Sequence, residues 1–150
     1  MKFRKERQEA MRLIVRNSQI RTQHELVTAL HEQGYHCTQA TVSRDIGEMK
    51  LKKLPEGIYV LAEDLHLQRM VHDLSHSVAR SGNLIIIHAQ GGTAPGVAGA
   101  IDEADIDGVL GTVSGDTTLL IVTVDEAHAV SLEEKLRSFA APAKKKKGRR

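Results

Sequence analysis

At Lys50 the apolar period of the chain changes, and no other feature constrains the fold as tightly. Before that point, apolar residues recur at helical spacing in three short segments. Residues 4–16 carry Ala10, Met11 and Ile14 on one face. Leu26, Ala29 and Leu30 form the stripe of a second segment, and Val42, Ile46 and Met49 that of a third. The breaks between segments are chemically marked. Thr22 and Glu25 make a T-x-x-E capping box, in which each side chain satisfies a backbone N–H at the helix start. Gly34 suits the left-handed stop of the second helix, and Thr38 can cap a third that runs to about Lys50. After the change, "LKKL" and "GIYVL" are short strands joined around Pro55-Glu56-Gly57. Three helices and a hairpin within about 60 residues is the order of a winged helix-turn-helix.

The rest of the chain follows a different plan. "AEDLHLQRMVHDLSHSV" has no single period and is expected to hold a linker and the first element of a second domain, over residues 64–80. "NLIIIHA" reads as a buried strand. "GGTAPGVAGAIDEA" is a glycine-rich turn opening a helix of small residues. "GVLGTVS" and "TTLLIVTV" are strands flanking Gly115-Asp116. "DEAHAVSLEEKLRSF" places Ala129, Leu132, Leu136 and Phe139 on one helical face. The expected architecture is therefore α+β. A winged helix-turn-helix over residues 1–63 precedes a small α/β domain over residues 81–140. Residues 141–150, "APAKKKKGRR", lack apolar periodicity and are expected to be a disordered basic tail.

Charge divides along the same lines. Residues 1–64 carry 11 Lys/Arg against 9 Asp/Glu, residues 65–140 carry 4 against 10, and residues 141–150 carry 6 against none. An acidic middle between basic ends points to anion binding at the ends. No apolar run approaches the ~18 residues of a membrane span. The charged start "MKFRKERQEAMRLIVRN" lacks the core of a signal peptide. With Cys37 as its one cysteine, the chain forms no internal disulfide, which suits a reducing cytoplasm.

The third helix carries the chemistry of a duplex reader. On a helical wheel Val42, Ile46 and Met49 turn to the core, while Arg44 points away with Ala40 and Gly47 beside it. Small neighbours let a helix sit deep in the major groove, where an arginine can donate two hydrogen bonds to guanine O6 and N7. Thr38, Gln39, Thr41 and Ser43 lie around the N-terminal flanks, within reach of phosphates or base edges. Lys52 and Lys53 on the hairpin suit backbone neutralisation. Gly47 is a local cost, since glycine within a helix loses about 0.5–1 kcal/mol relative to alanine. Close approach to DNA would explain it, and so would a tolerated defect.

"TQATVSRDI" followed by a hairpin resembles the DNA-reading segment of the bacterial arginine repressors. "GTVSGDTTLLIV" resembles that family's G-T-x-x-G-D-D-T effector signature, and "GGTAPGVAGAID" its other ligand segment. The resemblance runs over residues 4–139. It implies a transcription regulator of arginine biosynthesis or catabolism genes, whose C-terminal domains form trimers that stack into a hexamer. It also implies L-arginine as corepressor at the oligomer interface, and operator DNA as partner. Ser43 and Arg44 match the family's DNA-contacting pair; Asp102 and Asp116 match acidic positions of its effector site.

Arginine chemistry can be laid on those segments directly. Its guanidinium requires a carboxylate, and its α-ammonium a second acid or several carbonyls. Its carboxylate requires N–H donors, which a helix starting near Thr93–Ala94 would supply. Asp102 and Asp116 are the candidate acids, and Ala94 and Thr117 complete the candidate set. The sequence departs from the pattern twice. Thr117 stands where the family has a second Asp, and Pro95, without an N–H, stands where it often has a polar residue. These departures favour weaker arginine binding or a related amino acid as effector.

Two other functions compete. One is an architectural or differently liganded DNA-binding protein with a degenerate effector site. The other is a small nucleotide-binding enzyme using the glycine-rich turn, although that turn lacks the Lys-Ser/Thr ending of a P-loop. No catalytic residue and no metal are expected. His72 and His76 are spaced to form half a site on one helix, but no further ligand completes it.

Overall fold

The structure, a computed structural model, describes residues 2–140 and divides into two compact units between Ala62 and Glu63. The expected basic tail, residues 141–150, lies outside the described residues.

The first unit contains helices α1 (Lys2–Asn17), α2 (Gln23–Glu32) and α3 (Gln39–Met49), followed by strands β1 (Lys52–Lys53) and β2 (Tyr59–Val60), which pair antiparallel. The helices begin and end where side chains and glycine dictate. Thr22 Oγ1 accepts the N–H of Glu25 at 3.1 Å, and the Glu25 carboxylate accepts the N–H of Arg21, one residue before the cap, at 2.9 Å. Gly34, at φ +90°, ends α2; its N–H donates to His31 O, and that of Tyr35 to Leu30 O. These are the paired bonds that satisfy the last free carbonyls of a helix. Met11, Leu26, Leu30, Val42 and Leu61 are almost wholly buried in one aliphatic core. Each large side chain there contributes about 1.5–3 kcal/mol by leaving water. Gly57, at φ +89°, turns the hairpin, with its N–H donating to Leu54 O at 2.8 Å.

In the second unit, α4 (Ala62–Leu74) leads into strands β3 (Ser75–Ser81) and β4 (Leu84–Ala89). Then follow α5 (Ala94–Ala104), β5 (Val109–Ser114), β6 (Thr118–Thr123) and α6 (Glu126–Phe139). The sheet is antiparallel throughout, in the order β3-β4-β6-β5. Ile85, Ile87, Leu119 and Ile121 share one core with Val97 and Ile101 of α5, Leu132 and Leu136 of α6, and Leu67 and Val71 of α4. Asp125 caps α6 by accepting the N–H of His128 at 2.8 Å.

Three details differ from the sequence expectations. The ambiguous segment is a continuous helix and an edge strand, and α4 ends at Leu74, so His72 and His76 do not share a helix. His72 Nδ1 instead lies 3.0 Å from the Asp73 carboxylate. The strand "NLIIIHA" is buried on one side only: Ile85, Ile87 and Ala89 are buried, Leu84 and Ile86 half-buried, and His88 exposed. Helices cover one face of an antiparallel sheet here, so alternate residues of even an all-apolar strand meet that core.

Candidate nucleic-acid interface and effector site

Helix α3 starts at a hydroxyl cap. Thr38 Oγ1 accepts the N–H of Thr41 at 3.2 Å and lies 3.1 Å from Thr41 Oγ1, so the half-buried Thr41 is held by its neighbour. Gln39, Ala40, Ser43, Arg44 and Gly47 are exposed. Arg44 has no hydrogen bond or ion pair among the described residues, which leaves its guanidinium available to an outside acceptor. A Cβ built at Gly47 would meet nothing within 4 Å. The fold therefore has no internal need for glycine there. On the hairpin, Lys52 and Lys53 are both exposed, and Lys53 Nζ sits 5.2 Å above the Tyr59 ring. Arg21 Nη1 donates to Glu56 O at 2.8 Å, tying the hairpin turn to the start of α2.

The core-facing side of α3 contains a residue that the wheel did not single out. Asp45 is 1% exposed, while Ile46 and Met49 are only half-buried. Arg7 Nε donates to Asp45 Oδ2 at 2.5 Å and Arg7 Nη2 to Oδ1 at 3.1 Å. Gln8 Nε2 donates to Asp45 Oδ1 at 3.0 Å and to Glu48 Oε2 at 2.9 Å, and Arg4 also pairs with Glu48. Burial by itself would raise the Asp45 pKa. The hydrogen bonds from Arg7 and Gln8 and the charges of Arg7 and Arg4 outweigh it and hold the carboxyl below its ordinary value. The bond to Asp45 in turn raises Arg7. A sequence signal existed for this network. Asp45 and Glu48 are an i, i+3 acidic pair on a helix expected to approach phosphates, and Arg4, Arg7 and Gln8 are a matching set on α1.

In the second unit, the two glycine-bearing turns are joined. The N–H of Ala94 donates to Asp116 O at 3.3 Å, and the N–H of Ala89 to Thr117 O at 2.7 Å. Gly92, at φ +76°, brings its backbone near the Asp116 carboxylate; a Cβ there would lie 3.8 Å from Oδ1. Thr93 Oγ1 closes the turn on Gln90 O at 2.7 Å. Asp116 and Thr117 side chains are exposed, and Ala94 is fully buried. The start of α5 differs from the donor cluster expected for a ligand carboxylate. Ala94 N–H is bonded to Asp116, Pro95 has none, and the N–H groups of Gly96 and Val97 both donate to Thr93 O.

Asp102 is exposed on α5 and accepts the Thr112 hydroxyl, with both carboxylate oxygens at 3.1 Å. It opens onto a cavity of about 190 Å³ shared with Asp105 and the apolar side chains of Ile101, Ile106, Val109 and Leu110. Asp116 and Ala94 do not line that cavity. Among the described residues no group of three or more His, Cys, Asp or Glu could hold a metal ion, and no helix is long and apolar enough to cross a membrane.

Residues 3–67 match the family described as "Arginine repressor, DNA binding domain", and residues 71–138 that described as "Arginine repressor, C-terminal domain". The chain is 44% identical to the arginine repressor of Halothermothrix orenii over 121 residues, covering 73% of this chain and 81% of that protein. It is 39% identical to the arginine repressor of Carboxydothermus hydrogenoformans over 150 residues, covering 93% and 99%. With the arginine repressor of Thermus thermophilus it shares 40% identity over 140 residues, covering 86% and 85%.

Proposed function

The chain belongs to the arginine repressor family, a DNA-binding transcriptional regulator with an arginine-binding C-terminal domain and not an enzyme, and from that premise we propose how its own residues act. Helix α3 enters the major groove of operator DNA, Arg44 reads a base edge, and Ser43, Gln39, Thr38 and Thr41 contact phosphates or neighbouring edges. Lys52 and Lys53 neutralise the backbone beside the groove. The observation that carries this reading is the Arg44 guanidinium, exposed and without a partner among the described residues, on a capped helix whose flanking residues are small.

The second unit assembles copies of the chain and holds the effector between them. The arrangement favoured by the family is a hexamer built as a dimer of trimers. Two observations support assembly through this unit. Leu84 and Val122, and Ile86 and Leu120, are cross-strand pairs on the half-exposed side of the sheet, while Leu110 and Val113 stand 68% exposed on its edge strand. Half-exposed apolar pairs of this kind suit a subunit contact. The cavity beside Asp102 is also bordered by the exposed Leu110 of that edge strand, so a copy seated there would adjoin it.

L-arginine is the proposed corepressor, with Asp116 and Asp102 supplying its acidic contacts and the Ala94 and Thr117 segments forming the wall. Binding between copies favours the assembly that presents several α3 helices in register, which couples arginine to DNA affinity. Thr117 and Pro95 supply no charged group to the ligand, and the first turn of α5 has spent its N–H groups. A missing charge-assisted hydrogen bond of about 1.5–3 kcal/mol weakens binding by roughly 10- to 150-fold. A cytoplasmic site of action, on genes of arginine synthesis or breakdown, follows from this role.

The test is an electrophoretic shift assay on duplexes selected by the protein from a random pool, run with a panel of amino acids and with oligomer size measured in parallel. Retention of duplex DNA that tightens with arginine is expected. DNA affinity indifferent to every amino acid would support a regulator that has lost its effector, and failure to retain duplex DNA would overturn the proposal.

A further inference from the structure

We propose that Arg7, acting through Asp45, is a positioning residue for DNA recognition: the α1 side chain locks the rotation of α3 about its own axis and so aims Arg44. The inference rests on Arg44 as the base-reading residue.

Rotation of a groove-reading helix is a real variable. Adjacent residues on a helix are separated by about 100°, so a turn of a few tens of degrees carries Arg44 out of line with the two acceptors of a guanine. The apolar contacts of α3 resist this weakly. Val42 is fully buried, but Ile46 and Met49 are only partly so, and aliphatic packing has no directional preference of its own. A fork of two hydrogen bonds does. Arg7 reaches Asp45 through Nε and Nη2 together, at 2.5 and 3.1 Å, which fixes direction as well as distance. Gln8 adds a third bond to the same carboxylate and spans to Glu48, one turn further along α3, where Arg4 also pairs. The contacts run along both helices, so they resist sliding as well as rotation.

The position of the clamp in the chain matters. Asp45 is the residue immediately after Arg44, and its carboxylate is buried while the Arg44 guanidinium is not. The backbone that the clamp immobilises is therefore the backbone that carries the reading side chain. Arg4 and Arg7 also pair the two carboxylates of α3 and so offset the negative charge of that helix. The two effects can be separated. Loss of positioning weakens specific binding, whereas removal of a negative charge strengthens binding to any duplex.

The experiment uses the full chain and two probes: a duplex that the wild-type protein has selected from a random pool, and poly(dI-dC). Arg7→Lys keeps the charge and loses the fork; Asp45→Asn keeps the shape and loses the charge. Each is expected to lower affinity for the selected duplex about tenfold; Arg7→Lys leaves poly(dI-dC) affinity and the salt slope unchanged, whereas Asp45→Asn, one negative charge poorer, binds poly(dI-dC) at least as well as wild type. Combined with Arg44→Ala, either substitution should cost nothing further on the selected duplex, because nothing remains to be aimed. A ratio of specific to nonspecific affinity equal to wild type in Arg7→Lys would overturn the proposal, as would an undiminished loss in the Arg44→Ala background. Unfolding of Arg7→Lys at 25 °C, read by circular dichroism, would make the pair a folding element and overturn it too. Arg44→Ala without effect by itself would remove the base-reading role instead, which separates that failure from this one.

Discussion

The backbone N–H of Ala94 donates to the carbonyl oxygen of Asp116 at 3.3 Å, so the turn before α5 and the turn between β5 and β6 form a single piece of structure. Residues more than twenty positions apart in the chain thus present the Asp116 carboxylate beside a glycine whose left-handed backbone approaches it closely. The link is made by main-chain atoms. It persists whatever side chain stands at position 116, which makes the carboxylate itself separable from the fold.

Asp116→Asn should therefore abolish or sharply weaken the arginine response while shifting stability by no more than about 0.5 kcal/mol, as for other exposed substitutions. Titration calorimetry with arginine, alongside a thermal melt, checks both halves. A variant that binds arginine like wild type would leave Asp116 as a turn residue only.

Gly47→Ala separates folding from recognition. The added methyl meets nothing in the protein, and alanine within a helix is favoured over glycine by about 0.5–1 kcal/mol. The variant should melt higher than wild type and bind selected DNA more weakly, because the methyl intrudes between α3 and the groove. Equal or better DNA affinity would show that the groove does not approach this position.

Acid should loosen the first unit through Asp45. Its folded pKa is lowered by Arg7 and Gln8 despite burial, so the stability it adds is fully present above the ordinary unfolded carboxylate value of about 3.9. That stability is lost as pH falls through the lower folded value, with the proton bound first by the unfolded chain. Protection of the α1 and α3 amides, taken as exchange relative to the intrinsic rate at each pH, should fall in wild type as pH is lowered from 5. Asp45→Asn, already lacking the charge, should show a flatter dependence over the same range.

The half-exposed face of the sheet can be tested by charge. Ile86→Lys or Leu120→Lys places an ammonium on a cross-strand apolar pair without entering the core that holds Ile85, Ile87, Leu119 and Ile121. Sedimentation should show smaller species with intact circular dichroism, and arginine binding should fall with assembly. Unchanged sedimentation would exclude this face as the subunit contact.

Most of the first unit is legible in the sequence because its determinants are local. Thr22 with Glu25, Gly34, Thr38 and Gly57 act on backbone groups within a few residues, and each stands where its chemistry requires. The reciprocal bond of Glu25 shows the resolution of such rules: it closes on Arg21 rather than on the cap residue itself. Asp45 was not legible on a wheel that ranks residues by hydrophobicity, since its burial depends on Arg7 and Gln8, 38 and 37 positions away. Strand β3 escaped notice for a related reason. Val78 is the one buried residue of "SHSVARS", and the strand exists because β4 supplies its hydrogen-bond partners.

By itself the sequence determined most of the elements and their order, α4 and β3 excepted, because caps, turns and apolar periods act over a few neighbouring residues. Only the tertiary structure decided which polar groups remain free. Whether a carboxylate such as Asp45 is buried and paired, or an N–H such as that of Ala94 is already spent, depends on atoms brought together from distant parts of the chain. Arg44 and Asp45 are neighbours in sequence and differ by one helical step, and packing alone leaves one exposed and pairs the other with Arg7.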